Sequence, residues 1–341
     1  MFAKTKDIAT FPNKSAIIRA CHCESSNYKF YAESDIRNKF WGRSFELHPK
    51  GVSHVELKVP NAVIPGAEDP EGRTVEHYSY KKPIVAVTNL ITGNPTFDMY
   101  GDMEFTNHRT RDTCVLTFKA RGWRSKDANE FRGFVTSGET GEKVWEIAGR
   151  WNERMLARRV KAIGSGGSTS TLEEDLGSDN AAAAARPQHE DGSTQQKGRN
   201  IILLWKRHPF PTTKVPYNLT DFAMTLNHLP EPLQEYIAPT DSRLRPDQRA
   251  MEVGEYEVAS NEKTRLEEKQ RTKRKMREAS EGQHAEWQPR WFKRTIERDT
   301  QEGVWEFNDE YWGERERVRK NRDEAQDAAA VKWNINDDDI F

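Results

Sequence analysis

"CVLTFKARGWRSKDANEFRGFVTSGETGEKVWEIAGRW", residues 114–151, decides the class of fold. Three runs inside it, CVLTFKA, EFRGFVT and KVWEIAGRW, are short, rich in β-branched and aromatic residues, and largely alternate in polarity as half-buried strands do. The SGETGEK between the second and third carries the small and polar residues of a turn. Upstream the same grammar repeats. IIRACHC (17–23), YKFYAE (28–33), HVELKV (54–59) and PIVAVTNLI (83–91) read as strands, with turn signals at HPKG (48–51) and TGNP (92–95). Seven or more strands with no long helical pattern between them predict a sandwich or barrel rather than a βαβ fold.

The chain has 341 residues, 35% of them apolar and 31% charged, with a formal net charge of −1. A low apolar fraction predicts one packed core plus solvated sequence. The near-zero charge gives no global pull toward nucleic acid or membrane, so local patches must supply any such attraction. Cys21, Cys23 and Cys114 are the only cysteines, too sparse for a disulfide framework and suited to a reducing compartment. No apolar run reaches the roughly 18 residues of a membrane span. The start lacks a secretory apolar region, and the expected location is cytoplasmic, with any membrane association peripheral.

After the strands, residues 164–200 are low in complexity, dominated by Gly, Ser, Ala and acidic residues, and read as a disordered insertion in a loop. Strand-like sequence resumes at NIILLW (200–205). YNLTDFAMTLNHLP (217–230) fits a strand or a short helix. Pro246 marks a helix start, and residues 256–281 form a strong helix. The tail carries aromatics that tie it back over the strands and ends in the acidic NINDDDIF, whose last residues are expected to be loose.

Few residues offer chemistry. CHC at 21–23 puts Cys21 and Cys23 on one face of a strand and His22 on the other, without the second ligand pair of a zinc site, and reads as a packed strand. His48, His54, His77 and His108 are scattered through strands and turns. No HExxH, nucleophile elbow, phosphate loop or GxGxxG is present, so the sequence assigns no enzyme activity, no metal site and no cofactor. Lys263, Glu267 and Arg271 lie four residues apart and line one helix face. On spacing alone two readings stay open. One is a solvated ladder contributing about 0.2–0.5 kcal/mol per pair. The other is a cation–carboxylate–cation row that holds a phosphate. Lys273, Arg274 and Lys275, followed by Arg277, are candidates for contact with an anionic membrane surface. Stacking aromatics are not interleaved among them, which argues against nucleic acid.

Several stretches converge on one family. Residues 20–51 (ACHCESSNYKFYAESDIRNKFWGRSFELHPKG), 76–105, 112–124 (DTCVLTFKARGWR), 146–158 (EIAGRWNERMLAR), 204–211 (LWKRHPFP) and 217–271 resemble the lipid-binding domain of the oxysterol-binding protein family, most like its fungal members. The resemblance runs from about Ile17 to about Trp312, apart from 164–200. It implies a mainly β fold with C-terminal helices: an incomplete antiparallel β-barrel around a hydrophobic lipid tunnel. It also implies transfer of one lipid at a time, a sterol or phosphatidylserine, in exchange for phosphatidylinositol 4-phosphate. A lysine, a glutamate and an arginine four apart on a late helix bind the phosphoinositide headgroup in the family, and these match Lys263, Glu267 and Arg271.

One departure qualifies the match. The family signature Glu-Gln-Val-Ser-His-His-Pro-Pro is expected just before CHCESSNYKFY, where this chain reads PNKSAIIRACHCE. The two histidines fall on Lys14 and Ser15, and the two prolines on Ala16 and Ile17. The expectation is therefore the C-terminal portion of such a domain, N-terminally truncated and impaired in transfer. Its parts are a divergent leader (1–16), barrel strands (17–163), the insertion (164–200), the remainder with the helices (201–322) and an acidic tail (323–341). The competing expectation is a non-transferring interaction protein whose late basic helix binds an anionic surface or partner.

Overall fold

The computed structural model describes residues 16–42, 44–64, 72–89, 95–121, 128–160, 201–212, 219–281, 289–324 and 332–335. The leader before residue 16, the insertion at 164–200 and the last residues of the tail lie outside these.

The strands are β1 (Ala16–Glu24), β2 (Tyr28–Phe40), β3 (Phe45–Lys50), β4 (Ser53–Pro60), β5 (Arg73–Tyr80), β6 (Ile84–Thr88), β7 (Thr96–Asn107), β8 (Thr113–Phe118), β9 (Glu130–Thr136), β10 (Lys143–Arg150), β11 (Arg154–Arg159) and β12 (Ile201–Lys206). Every pairing among them is antiparallel. Asp35 of β2 faces Lys50 of β3, and Ala32 faces Ser53 of β4, so the register carries through unchanged. β3 and β4 are thus one long strand interrupted at Gly51 and Val52. β5 and β6 are likewise collinear: Tyr80 faces Ser53, while Val87 faces Phe45, a shift of one residue. The sheet is therefore a meander whose rows follow chain order from β1 to β12. Both outer strands are open edges among the described residues, and the sheet is large without being a closed barrel. The mainly β, incomplete-barrel class expected from the sequence is what the chain adopts.

Gly51 makes the interruption. Its φ is +97°, and a Cβ there would lie 2.6 Å from the Glu33 carbonyl oxygen. Glu33 N–H donates to the Val52 carbonyl at 3.1 Å, so the ladder bends without losing its pairing. HPKG was expected to be a turn, but His48, Pro49 and Lys50 continue β3 and only Gly51 breaks it.

Alternation builds the core of the later rows. Leu116, Phe118 and Phe131 are buried, with Met99, Met103, Phe105, Ile147 and Met155 packed against them, while Val115 on the opposite face of β8 is exposed.

The helices are α1 (Asp221–Thr225), α2 (Glu231–Gln234), α3 (Pro246–Glu252), α4 (Tyr256–Glu281) and α5 (Glu310–Glu324), with a hairpin of β13 (Phe292–Ile296) and β14 (Gly303–Phe307) before the last. Thr220 decides the ambiguous 217–230 stretch: its side chain accepts from Ala223 N–H, an N-cap that starts α1. Pro246 opens α3 as expected. The aromatic tail packs as one cluster: Trp291, Phe292, Trp305, Phe307, Tyr311, Val318 and Trp333 bury against Ala20 of β1 and Ala238. Trp333 falls in the stretch read as an acidic tail, yet it belongs to this core. His22 stacks on Phe307 with centroids 4.6 Å apart, so CHC is a packed strand.

Candidate functional site

α4 is 26 residues long, and its composition explains why it forms. It is rich in Glu, Lys and Arg, all good helix formers, and lacks Gly and Pro. Short-range ion pairs add to this: Arg265 with Glu262 (2.7 Å), Arg271 with Glu267 (3.4 Å) and Arg274 with Glu278 (3.0 Å). What docks it is a thin seam in which Ala259 and Leu266 are buried.

At about 100° per residue, Lys263, Glu267 and Arg271 stand roughly 60°, 100° and 140° around the axis from Leu266. They form one exposed stripe flanking the docked seam. Arg271 Nη2 donates to Glu267 Oε2 at 3.4 Å. Lys263 carries no ion pair among the described residues. Glu267 thus holds one cation of the row and leaves the other available to an anion.

The three surface candidates do not share a face. By the same rotation Lys273 returns to within about 20° of the Leu266 seam and Lys275 points nearly opposite it. Lys273 is half-buried, whereas Arg274 and Lys275 are exposed and Arg274 is held by Glu278. Arg274 lies on the same side as the Lys263–Glu267–Arg271 stripe.

Exposed apolar side chains stand near the start of α4. Phe222 and Met224 on α1, Met251 on α3, Val253 in the turn and Tyr256 and Val258 on α4 all face solvent. Arg249 of α3 joins these pieces by donating to the Asn227 carbonyl at 3.4 Å. Of the exposed apolar side chains, Tyr256 stands at about 80° from Leu266, on the same side of α4 as Lys263. Among the described residues no helix is long and apolar enough to cross a membrane.

The histidines are the point at which sequence reading fell short. His54, His77 and His108, read as scattered, converge: His77 stacks on both His54 and His108. Their strands bring them together through cross-strand register, which residue spacing does not display.

A model described as oxysterol-binding protein matches residues 15–316. This chain belongs to the oxysterol-binding protein family. It is 39% identical over 306 residues to oxysterol-binding protein homolog 1 of Saccharomyces cerevisiae, covering 90% of this chain and 23% of that one. Oxysterol-binding protein-related protein 1D of Arabidopsis thaliana is 35% identical over 88% of this chain and 30% of its own length. The chain thus spans less than a third of these curated relatives. Among solved structures it resembles the Osh1 ORD domain in complex with cholesterol, with a TM-score of 0.68 and 36% identity over 88% of this chain and 63% of that one. The same domain in complex with ergosterol matches equally well. The family assignment accounts for the open antiparallel sheet with C-terminal helices.

Proposed function

We propose that this oxysterol-binding family chain binds a lipid and carries it between the cytosolic faces of membranes. The cargo is a sterol or phosphatidylserine, and the exchanged lipid is phosphatidylinositol 4-phosphate. The observation that carries the reading is the 36% identity, over 88% of the chain, to a domain solved with cholesterol and with ergosterol. An apolar body is held by burial at about 25 cal/mol per Å², which asks nothing of the site beyond an apolar wall. A phosphorylated headgroup needs fixed cations, and Lys263 and Arg271 supply a point charge and a planar fork on one stripe. Glu267 keeps Arg271 oriented. The exposed apolar residues of α1, α3 and the start of α4 touch the bilayer, with Arg274 and Lys275 adding attraction to anionic lipid.

Liposome extraction tests this. The purified chain is mixed with vesicles carrying a fluorescent sterol or labelled phosphatidylinositol 4-phosphate, and soluble lipid is measured after sedimentation. Removal of sterol, with competition by phosphatidylinositol 4-phosphate, is expected. Failure to extract either lipid overturns transfer as the activity of this chain. In that case binding to anionic vesicles without extraction identifies an interaction protein.

A further inference from the structure

The sheet and the C-terminal hairpin together assemble a group of donors that lipid binding does not use. His54 on β4, His77 on β5 and His108 just after β7 form a stack, with centroids 5.3 Å and 4.6 Å apart and planes within 21° and 23°. Tyr31 caps it against His54 at 4.7 Å. The turn between β13 and β14 brings two carboxylates to the other side. Asp299 Oδ2 lies 2.5 Å from His77 Nδ1, and Glu297 Oε1 lies 4.0 Å from the same nitrogen. One donor atom each from His77, His108 and Asp299 lie within 4.8 Å of one another, as do those of His54, His77 and Glu297.

We propose that His77, His108 and Asp299 bind a divalent transition-metal ion of the zinc class, with Glu297 as a fourth ligand. His54 is the outer partner that holds the His77 ring.

The donor set selects the metal. Imidazole nitrogen with carboxylate oxygen suits zinc, cobalt or nickel, whereas calcium and magnesium want oxygen throughout. Bonds of about 2.0–2.2 Å place tetrahedral donors about 3.3–3.6 Å apart, so donors now within 4.8 Å of one another draw together onto the ion and the stacked His77 and His108 rings turn toward it. Two carboxylates balance the charge.

The outer shell is already built. A ligating imidazole characteristically donates its other ring N–H to a neighbour, which fixes the tautomer. His77 Nε2 lies 3.1 Å from His54 Nδ1, and His108 Nε2 lies 2.8 Å from Ser79 Oγ. His108 Nδ1 is buried with no hydrogen-bond partner among the described residues. In His108 one nitrogen is held and the other remains for a ligand, while His77 Nδ1 faces Asp299, so an ion there would take the place of that hydrogen bond. Glu297 is anchored separately: its Oε2 accepts from the N–H groups of Asp299 and Thr300, leaving Oε1 toward His77.

The ion would staple the hairpin to the middle of the sheet, joining residues 222 positions apart. The test is a Co²⁺ titration of the chelator-stripped full chain, followed by visible absorption and by thermal melting with Zn²⁺. One equivalent of Co²⁺ giving saturable visible bands that Zn²⁺ abolishes, and a higher melting temperature with Zn²⁺, are expected. His108→Gln and Asp299→Asn should weaken binding at least tenfold, and His54→Asn by about 10–100-fold as an outer-shell change. His228→Gln, at an exposed histidine, should leave it unchanged. Asp299 is partly exposed, so its variant decides the matter if His108→Gln does not fold. The absence of saturable bands overturns the proposal. So does equal affinity in Asp299→Asn and the parent.

Discussion

Arg271 reaches Glu267 at 3.4 Å across one helical turn, and both side chains stand largely in solvent. An exposed pair of this kind contributes about 0.2–0.5 kcal/mol. Arg271→Ala and Glu267→Gln should therefore shift the urea midpoint only slightly. If the pair serves a headgroup, the same variants and Lys263→Ala lower binding to phosphatidylinositol 4-phosphate vesicles by tenfold or more. Parent-like binding in all three would reduce the row to a solvated ladder.

Leu266 is the opposite case. It is 5% exposed and is the apolar residue on which the highly charged middle of α4 docks. Leu266→Ala should cost about 2–5 kcal/mol in equilibrium denaturation, since it removes buried area and leaves a void. Met276→Ala, ten residues further along and 67% exposed, should change stability by less than about 0.5 kcal/mol.

Gly51 allows a third prediction. Alanine there must adopt a φ near +97° and push its Cβ toward the Glu33 carbonyl oxygen. A loss of about 2 kcal/mol or more is expected for Gly51→Ala, read from the denaturation midpoint. Gly101→Ala, where a Cβ would meet nothing within 4 Å, should cost less although its φ is also positive.

His22 sets a pH dependence. Burial between β1 and Phe307 lowers its pKa below the usual 6.5, with Glu24 and Asp309 opposing the shift and Lys29 reinforcing it. Its Nε2 approaches Glu24 Oε2 at 3.4 Å without forming a hydrogen bond. The unfolded chain therefore takes up a proton at this site before the folded chain does. The contribution of this site to stability is fully present above about pH 6.5 and is lost as the pH drops below it. His22→Phe, which keeps a ring on Phe307, should flatten that fall when denaturation midpoints at pH 7.5 and 5.5 are compared.

Arg274 and Lys275 carry the surface prediction. Arg274→Glu and Lys275→Glu should each weaken attachment to phosphatidylserine vesicles by roughly fivefold or more, given about 1 kcal/mol per basic residue near an anionic surface. The effect should fade at high salt. Lys273→Glu, on the seam side, should act mainly on stability.

The fold was legible wherever period-two alternation met a turn signal, as at Cys114–Phe118, Gly138–Thr140 and Glu130–Thr136. RTVEHYSY and TFDMYGDMEFTN were harder, because β5 and β7 bury Glu76, His77, Ser79 and Asp98, whose polarity masks a strand. The Lys263–Glu267–Arg271 stripe was legible because helical spacing is a local property. The histidine group was not. His77 sits opposite His108 only because Tyr78 pairs with Asn107, and Asp299 arrives from a hairpin near the other end of the chain. Aligning β5 with β7 on paper would have placed two of the histidines side by side, but nothing short of the fold places Asp299.

The meander lets each sheet row pair with the row made just before it, so the sheet can grow strand by strand as the chain leaves the ribosome. Its first row is the exception. β1 waits for β14 to supply Phe307, roughly 285 residues after His22, which at about 5–20 residues per second is a delay of tens of seconds. During that interval the nascent chain leaves His22 and its face of β1 unburied. The hairpin therefore covers this face of β1 only after every row of the sheet has been made.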